Sequence, residues 1–501
     1  MEKKSIIDDL VVLHPEVKDF KMGFPNIGKR LDNKAFGDVV RKIEKSWYFY
    51  DTDLYNIKTK DEIIKLGSGN PLNYKPFPIS IDYLKKQLKE PLYGYPPAAG
   101  SEEHRQIISD YLIREGFPKK INYNNVIITD STTQGFYLIL KALFNPYDVI
   151  IMTGPNYGLF AFMPERENIG VEVINLDKDN NYIIDPDKLN NKIIEINEKL
   201  KKKYKNKLGY VPRVRAFLNI NPHNPLGTVL SDKDIKVLKG IGEVCLKNNV
   251  FIIDDLIYRD LSYDMDNIAK PIGTINKYFD NTISLFGLSK SYGLARTRSG
   301  FIVANEVVIR LLRDNLFYIM DSQSVLQSSL LAGAFNNSEK RYKEYSKYFN
   351  KLIDNYKFNC YLTISLFEGI DSIKDTIYYN KIYKLLKKEI NDEAELKYIL
   401  EGIPYSKVVI RPESGFFLLV DFTGLKKKGI IKSEKDLLEY IYKTCGVKFL
   451  VGQSFSWPNK NEIIIRITYS FDAITLIKAL TKMNISIRGE LNETNWSNNI
   501  C

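Results

Sequence analysis

The 501-residue chain predicts an α/β protein with a large, mostly parallel central sheet and a smaller α+β part. Two observations carry this. Between residues 125 and 304, short β-branched runs alternate with loops and helical stretches. Beyond about residue 305 the pattern turns long and helical, and strand-like runs return only near the end.

The strand-like runs are NVIIT (125–129), DVIIM (148–152), VEVINL (171–176), RAFLNI (215–220), VFIID (250–254), TISLF (282–286) and GFIVA (300–304). Most are apolar without polar alternation, as expected of strands covered by helices on both faces. In such sheets functional groups gather beyond the strand carboxyl ends. Thr132, Thr133, Tyr157, Asn224, Asp255 and Lys290 all follow these runs. The helical part begins with EVVIRLLRDNLFYIM (306–320) and KRYKEYSKYFNKLIDNY (340–356), and a charged stretch near 370–400 reads as solvent-facing helices. Strand-like runs at 407–422 and 463–471 complete a second unit. The expected division is a large domain over 76–335 and a small domain from 1–75 with 336–501.

Composition narrows the function. The 72 Lys and Arg against 61 Asp and Glu give a net charge of +11, but the lysines are scattered along solvated helical patterns. No nucleic-acid footprint is expected from them. Cys245, Cys360, Cys445 and Cys501 are widely spaced, which indicates neither a disulfide frame nor a zinc site and suits a reducing compartment. His14, His104 and His223 stand far apart, outside any triad or metal-ligand spacing. The N-terminal MEKKSIIDDLVVLHP has acids inside its short apolar run and no small-residue cleavage site, and no stretch approaches a membrane span. A cytoplasmic protein is expected.

Three stretches carry chemistry. DSTTQGFYLILKALF (130–144) follows a strand and opens an amphipathic helix with hydroxyls at Ser131, Thr132 and Thr133, which suit either plain N-capping or an anion cradle. Arg298, just past the Lys290 loop, can fork two phosphate oxygens or sit in a surface ion pair. DDLIYRD (254–260) ends an apolar strand in acid, a costly placement unless the carboxylate meets a cation or strong donor. Strand alternation puts Asp254 and Asp255 on opposite sides. NPHNPLGT (221–228) is a turn by composition, and its Asn224 also offers an amide donor. Finally, SLFGLSKSYGLARTRSG (284–300) sets Lys290 among Ser, Gly and small residues, unlike the charged company of a surface lysine.

With these residues the chain resembles the fold-type I, class I/II aminotransferases that use pyridoxal 5'-phosphate. The Lys290 stretch is similar to the family's Ser-x-Ser-Lys element and the glycines and arginine that follow it. It departs at Gly287, where a phosphate-binding Ser is common, and at Arg296, where a small residue is common. NPHNPLG, DLIY, LYGYPPAAGSEEHR (92–105), LGSGNP (66–71), GPNYG (154–158) and IIIRITYSF (463–471) resemble further family motifs in the same order.

The resemblance implies roles. Lys290 forms the internal aldimine and then acts as general base. Asp255 pairs with the pyridine nitrogen, while Tyr258 and Asn224 face the phenolic oxygen. Tyr157 stacks on the ring, and Thr132, Thr133 and Arg298 hold the phosphate with Tyr95 of a neighbouring subunit, so a homodimer is implied. Arg466 receives the substrate carboxylate, with Asn224 beside it, and Gly69 lets backbone approach the substrate. The implied activity moves an amino group between an L-amino acid and a 2-oxo acid. The alternative on the same scaffold is a lyase, synthase or decarboxylase. The residues leave the substrate side chain open.

Overall fold

The computed structural model describes residues 62–71, 74–205 and 207–498. His14, Cys501 and the first 61 residues, which include most of the N-terminal segment expected in the small domain, lie outside this range.

The described chain opens with the two-residue strand β1 (Ile64–Lys65) and helices α1 (Pro78–Gln87) and α2 (Glu102–Arg114). Then the expected alternation begins. Strand β2 (Val126–Thr129) feeds α3 (Ser131–Leu143), β3 (Val149–Gly154) feeds α4 (Gly158–Arg166), and β4 (Gly170–Asn175) leads to α5 (Pro186–Tyr204). Next come β5 (Val214–Ile220), α6 (Ile235–Lys247), β6 (Phe251–Asp255), β7 (Thr282–Gly287) and β8 (Gly300–Val303).

These seven strands form one sheet in the order β2-β8-β7-β6-β5-β3-β4. Only β8 runs against the others. Alternate residues of one strand enter different cores, which is why the runs show no polar alternation. Val149 and Ile151 pack in one cluster and Ile150 and Met152 in another, and Ile252 and Ile253 divide the same way.

Beyond the sheet, α7 (Glu306–Met320) packs Val308, Ile309, Leu312 and Leu316 into the same core as Ile150 and Met152, α8 (Val325–Ala334) follows, and the 30-residue α9 (Glu339–Glu368) opens the second part. The charged stretch then forms α10 (Tyr379–Glu389) and α11 (Glu393–Glu401), each charged outside and anchored by a few apolar residues: Ile382 and Leu386 in one, Ile399 in the other. The expected continuous run at 407–422 is instead split into β9 (Lys407–Val408) and β10 (Phe417–Asp421). Pro412 lacks an amide donor and Gly415 takes φ 75°, so the intervening chain leaves the ladder. After α12 (Thr423–Lys427) and α13 (Glu434–Cys445), β11 (Val447–Lys448) pairs with β1. Strand β12 (Leu450–Val451) and β13 (Ile464–Thr468) join β10 and β9 in an antiparallel sheet, and α14 (Ala473–Asn498) ends the described chain. No helix among the described residues is long and apolar enough to cross a membrane.

The start of β3 depends on one buried acid. Asp148 is fully buried and accepts from Arg215 Nε at 3.1 Å and Nη2 at 2.9 Å, and from the amides of Asn145 and Arg213. Removing one partner of such a pair leaves the other charge and both amides uncompensated. Asp148→Ala is therefore expected to cost about 3 kcal/mol. Calorimetry should show a lowered unfolding midpoint while steady-state turnover stays at the wild-type level.

Candidate active site

Beyond the carboxyl ends of β2, β3, β5, β6 and β7 lies a cavity of about 490 Å³. Its lining includes Gly69, Thr132, Thr133, Tyr157, Asn224, Asp255, Tyr258, Lys290, Arg298 and Arg466. Of the residues to which the resemblance assigned a site role, only Tyr95 lies elsewhere, and it is 89% exposed.

Strand β6 delivers its two acids to different places. Asp254 points toward the β5 and Ile272 side, accepting from Asn219 Nδ2 and the Ile272 amide, each at 2.8 Å. Asp255 faces the cavity, with Oδ1 accepting from the Ile257 amide at 3.2 Å. Burial pushes the Asp255 carboxyl up to about 7, Asp254 adds to the rise, and the Ile257 amide and Lys290 oppose it. Burial likewise lifts Asp254 to about 6.

On the neighbouring strand, β7 ends at Gly287 and the loop turns Lys290 into the same cavity, where Nζ donates to Gly69 O at 2.7 Å. Burial pulls the Lys290 ammonium down to about 8, helped by Arg466 and Arg298 and resisted by Asp255. A Cβ built on Gly69 would lie 3.7 Å from Lys290 Nζ, so the missing side chain leaves room above the lysine.

The turn into α3 is tightly built. Ser131 holds φ 87° and Arg298 holds φ 51°, both in the left-handed region that non-glycine residues seldom enter. Gly300 lets the Ser131–Thr132 backbone come close, because a Cβ there would sit 2.9 Å from Ser131 C and 3.0 Å from Thr132 N. Free amides at this helix start, with the hydroxyls of Thr132 and Thr133 and the Arg298 guanidinium, suit an anion. Gly287 has a local reason too. A Cβ there would meet Ile257 Cδ1 at 2.8 Å and Thr132 Cγ2 at 3.4 Å, so a serine does not fit without displacing them.

From the small sheet, Arg466 on β13 reaches across to Asn224 Oδ1 at 3.2 Å and Gly67 O at 3.0 Å. Its guanidinium lies 4.2 Å from the Phe417 ring centroid. Its Nε is buried without a partner among the described residues, and burial lowers its pKa to about 10. Tyr258 is buried edge-on to Phe416 and Phe417, and burial raises its phenol well above the usual range. Tyr157, at the start of α4, lines the other side.

Sequence reasoning missed several lining residues. Ser289, whose Oγ lies 3.5 Å from Arg298 Nη1, had a signal in its place beside Lys290. Phe417, Lys448 and Leu450 had none, because only the distant pairings of β10, β11 and β12 bring them here. Among the described lining residues, the cations Lys65, Lys290, Arg298, Lys448 and Arg466 face the single anion Asp255. Such a cavity favours an anionic ligand.

The sequence model of aminotransferase class I and II matches residues 61–362. The chain belongs to the class I and II aminotransferases.

An aspartate aminotransferase of Pyrococcus horikoshii is 25% identical over 431 residues, covering 86% of this chain and 92% of that protein. A probable N-acetyl-LL-diaminopimelate aminotransferase of Bacillus subtilis is 24% identical, covering 85% and 90%. In fold, the chain is similar to the aspartate aminotransferase from Thermus thermophilus with maleate, at TM-score 0.66 and 16% identity over 91% of this chain and 100% of the other. It is also similar to an aromatic aminotransferase from Pyrococcus horikoshii, at TM-score 0.64 and 20% identity over 88% and 99%. The architecture is fold-type I, and the enzyme is a pyridoxal-phosphate-dependent aminotransferase acting on amino acids and 2-oxo acids.

The cavity fits that cofactor on its own chemistry. It offers an anion cradle at one end, a buried carboxylate that gains from a cationic N–H, and an amine that burial leaves largely uncharged above about pH 8.

The depressed Lys290 pKa can be measured directly. In cofactor-free protein, acylation of Lys290 followed by mass spectrometry is expected to rise through a midpoint near pH 8. Exposed lysines should follow their usual midpoint near 10.4. A Lys290 midpoint above 10 would show that the cavity does not desolvate it.

Proposed function

We propose that this aminotransferase works through Lys290, Asp255 and Arg466, and that the carrying observation is their convergence on one cavity from β7, β6 and β13. When bound, pyridoxal 5'-phosphate supplies an aldehyde for the amine and an electron-withdrawing ring. Thr132, Thr133 and Arg298 would hold its phosphate, and Ser289 stands next to that cradle. Asp255 would keep the ring nitrogen protonated, which also relieves the cost of burying its carboxylate. Tyr258 and Asn224 would donate toward the phenolic oxygen, and Tyr157 would stack against the ring.

Arg466 would bind the substrate carboxylate through two parallel hydrogen bonds. Asn224 and the Phe417 ring hold the guanidinium in place. This orients the substrate Cα toward Lys290, whose Nζ takes the Cα proton and returns it on the other side of the exchange. The absence of a side chain on Gly69 leaves space for the substrate above Lys290.

The same reading covers the assembly. Tyr95 is 89% exposed, and Tyr93, Phe317 and Tyr318 are also exposed large side chains. They support a homodimer in which Tyr95 serves the neighbouring subunit's cradle. The proposed division into domains over 76–335 and over 1–75 with 336–501 is supported by the described sheets, since the seven-stranded sheet lies within the first range and the four-stranded sheet within the second. Three free, buried thiols, Cys245, Cys360 and Cys445, accord with a cytoplasmic setting.

The test of the lysine is spectroscopic. Purified protein loaded with cofactor is expected to absorb in the visible, and Lys290→Ala to lose that band and amino transfer from amino acid to 2-oxo acid while keeping wild-type circular dichroism. A band retained in Lys290→Ala sinks the assignment.

For the substrate, Arg466→Lys replaces a planar fork by a point charge. Both KM and kcat should suffer, with kcat/KM falling by about 2 to 4 kcal/mol. Amines without a carboxylate should hardly change. Equal losses for an amino acid and its carboxylate-free amine would assign Arg466 to the fold.

A further inference from the structure

Lys290 and Tyr258 reach the cavity on different loops, one after β7 and one after β6. The two loops meet again behind the cavity wall. Two residues past Lys290, the fully buried Tyr292 donates from its hydroxyl to Asp260 Oδ2 at 2.9 Å. Asp260 lies two residues past Tyr258 and is 4% exposed. Ser291 Oγ approaches Ile257 O at 3.4 Å, a longer contact that leaves the Tyr292 bond as the firm link.

The carboxylate is itself held. Asp260 Oδ1 accepts from Tyr345 on α9 at 2.8 Å and from Arg259 Nη1 at 3.4 Å. Arg259 continues to Glu115 Oε2 at 2.8 Å, and the Arg341 guanidinium lies 4.3 Å over the Tyr345 ring. A buried phenol donating to a buried carboxylate makes a charge-assisted bond, and breaking it strands the acceptor. Burial also holds the Tyr292 phenol far above its usual range, so it remains a donor at any working pH.

We propose that Asp260 and Tyr292 are positioning residues that clamp the Lys290 loop to the Tyr258 loop and thereby set where Lys290 Nζ stands against the cofactor. The inference rests on the role given above to Lys290. It separates two bonds to the same carboxylate. The Tyr292 bond leads to a loop that carries a reacting group, whereas the Tyr345 bond leads only to α9.

The experiment compares Tyr292→Phe with Tyr345→Phe in cofactor-loaded enzyme. Each loses one hydroxyl on Asp260, so thermal midpoints should fall by similar amounts. Tyr292→Phe should lower kcat by about tenfold, because catalysis is steep in the placement of reacting groups. Its KM for the amino acid should hold, since Arg466 is untouched, and the pH midpoint of the visible absorbance should move. Tyr345→Phe should keep wild-type kcat and midpoint. Asp260→Leu, close in shape and without an acceptor, should move the midpoint in the same direction as Tyr292→Phe. If Tyr292→Phe does not fold, this variant decides alone, and an unmoved midpoint overturns the clamp. Equal kcat and midpoint in the two Phe variants also overturns it. Failure of the underlying reading looks different, since Lys290→Ala would then retain the band.

Discussion

Two ionisable groups of opposite charge line one cavity beyond the ends of adjacent parallel strands, and the rest of the site is arranged around the cost of keeping them there. Lys290 is pulled down to about 8 and Asp255 pushed up to about 7, burial being the first cause of each shift. Each lessens the other's shift, so they favour one another's charged form. Neither compensation is complete. A ligand that brings a cationic N–H to the acid and an electrophilic carbon to the amine satisfies both.

That constraint is met by closely packed and hydrogen-bonded surroundings. At the start of α3, Ser131 and Arg298 hold left-handed conformations, and Gly300 leaves the space into which the Ser131–Thr132 backbone packs. Asp254 is tied to Asn219 and Ile272, which leaves Asp255 as the acid of this strand facing the cavity. Arg466 comes from the antiparallel sheet and reaches Asn224 on the loop after β5, so the carboxylate anchor and the base belong to different parts of the chain. A substrate held by both must bridge them.

The net positive cavity also accounts for a feature that composition alone obscured. The +11 charge of the chain is spread over solvated helices, but the cavity lining concentrates five cations against Asp255 among the described residues. The functional electrostatics are local. They owe nothing to the overall charge.

Much of this was legible in the sequence. Runs of apolar β-branched residues marked the strands of the large sheet, because a strand buried on both faces has no polar side to show. The residues after those runs marked the site, because parallel strands present their carboxyl ends together. Alternation along DDLIY separated Asp255 from Asp254. The interruption of 407–422 was also written there, in Pro412 and Gly415, though the apolar flanks concealed it. Other features exist only in three dimensions. Phe417 and Leu450 enter the cavity with the antiparallel sheet and Lys448 with the β1–β11 pair, and no local pattern records contacts between such distant parts of the chain. The same holds for Asp260, Tyr292 and Tyr345, which read in sequence as unremarkable polar and aromatic residues. Local periodicity determines which face of an element is buried. Which buried groups then meet is settled by packing between elements, and there the shift of Lys290 and the reach of Arg466 were decided.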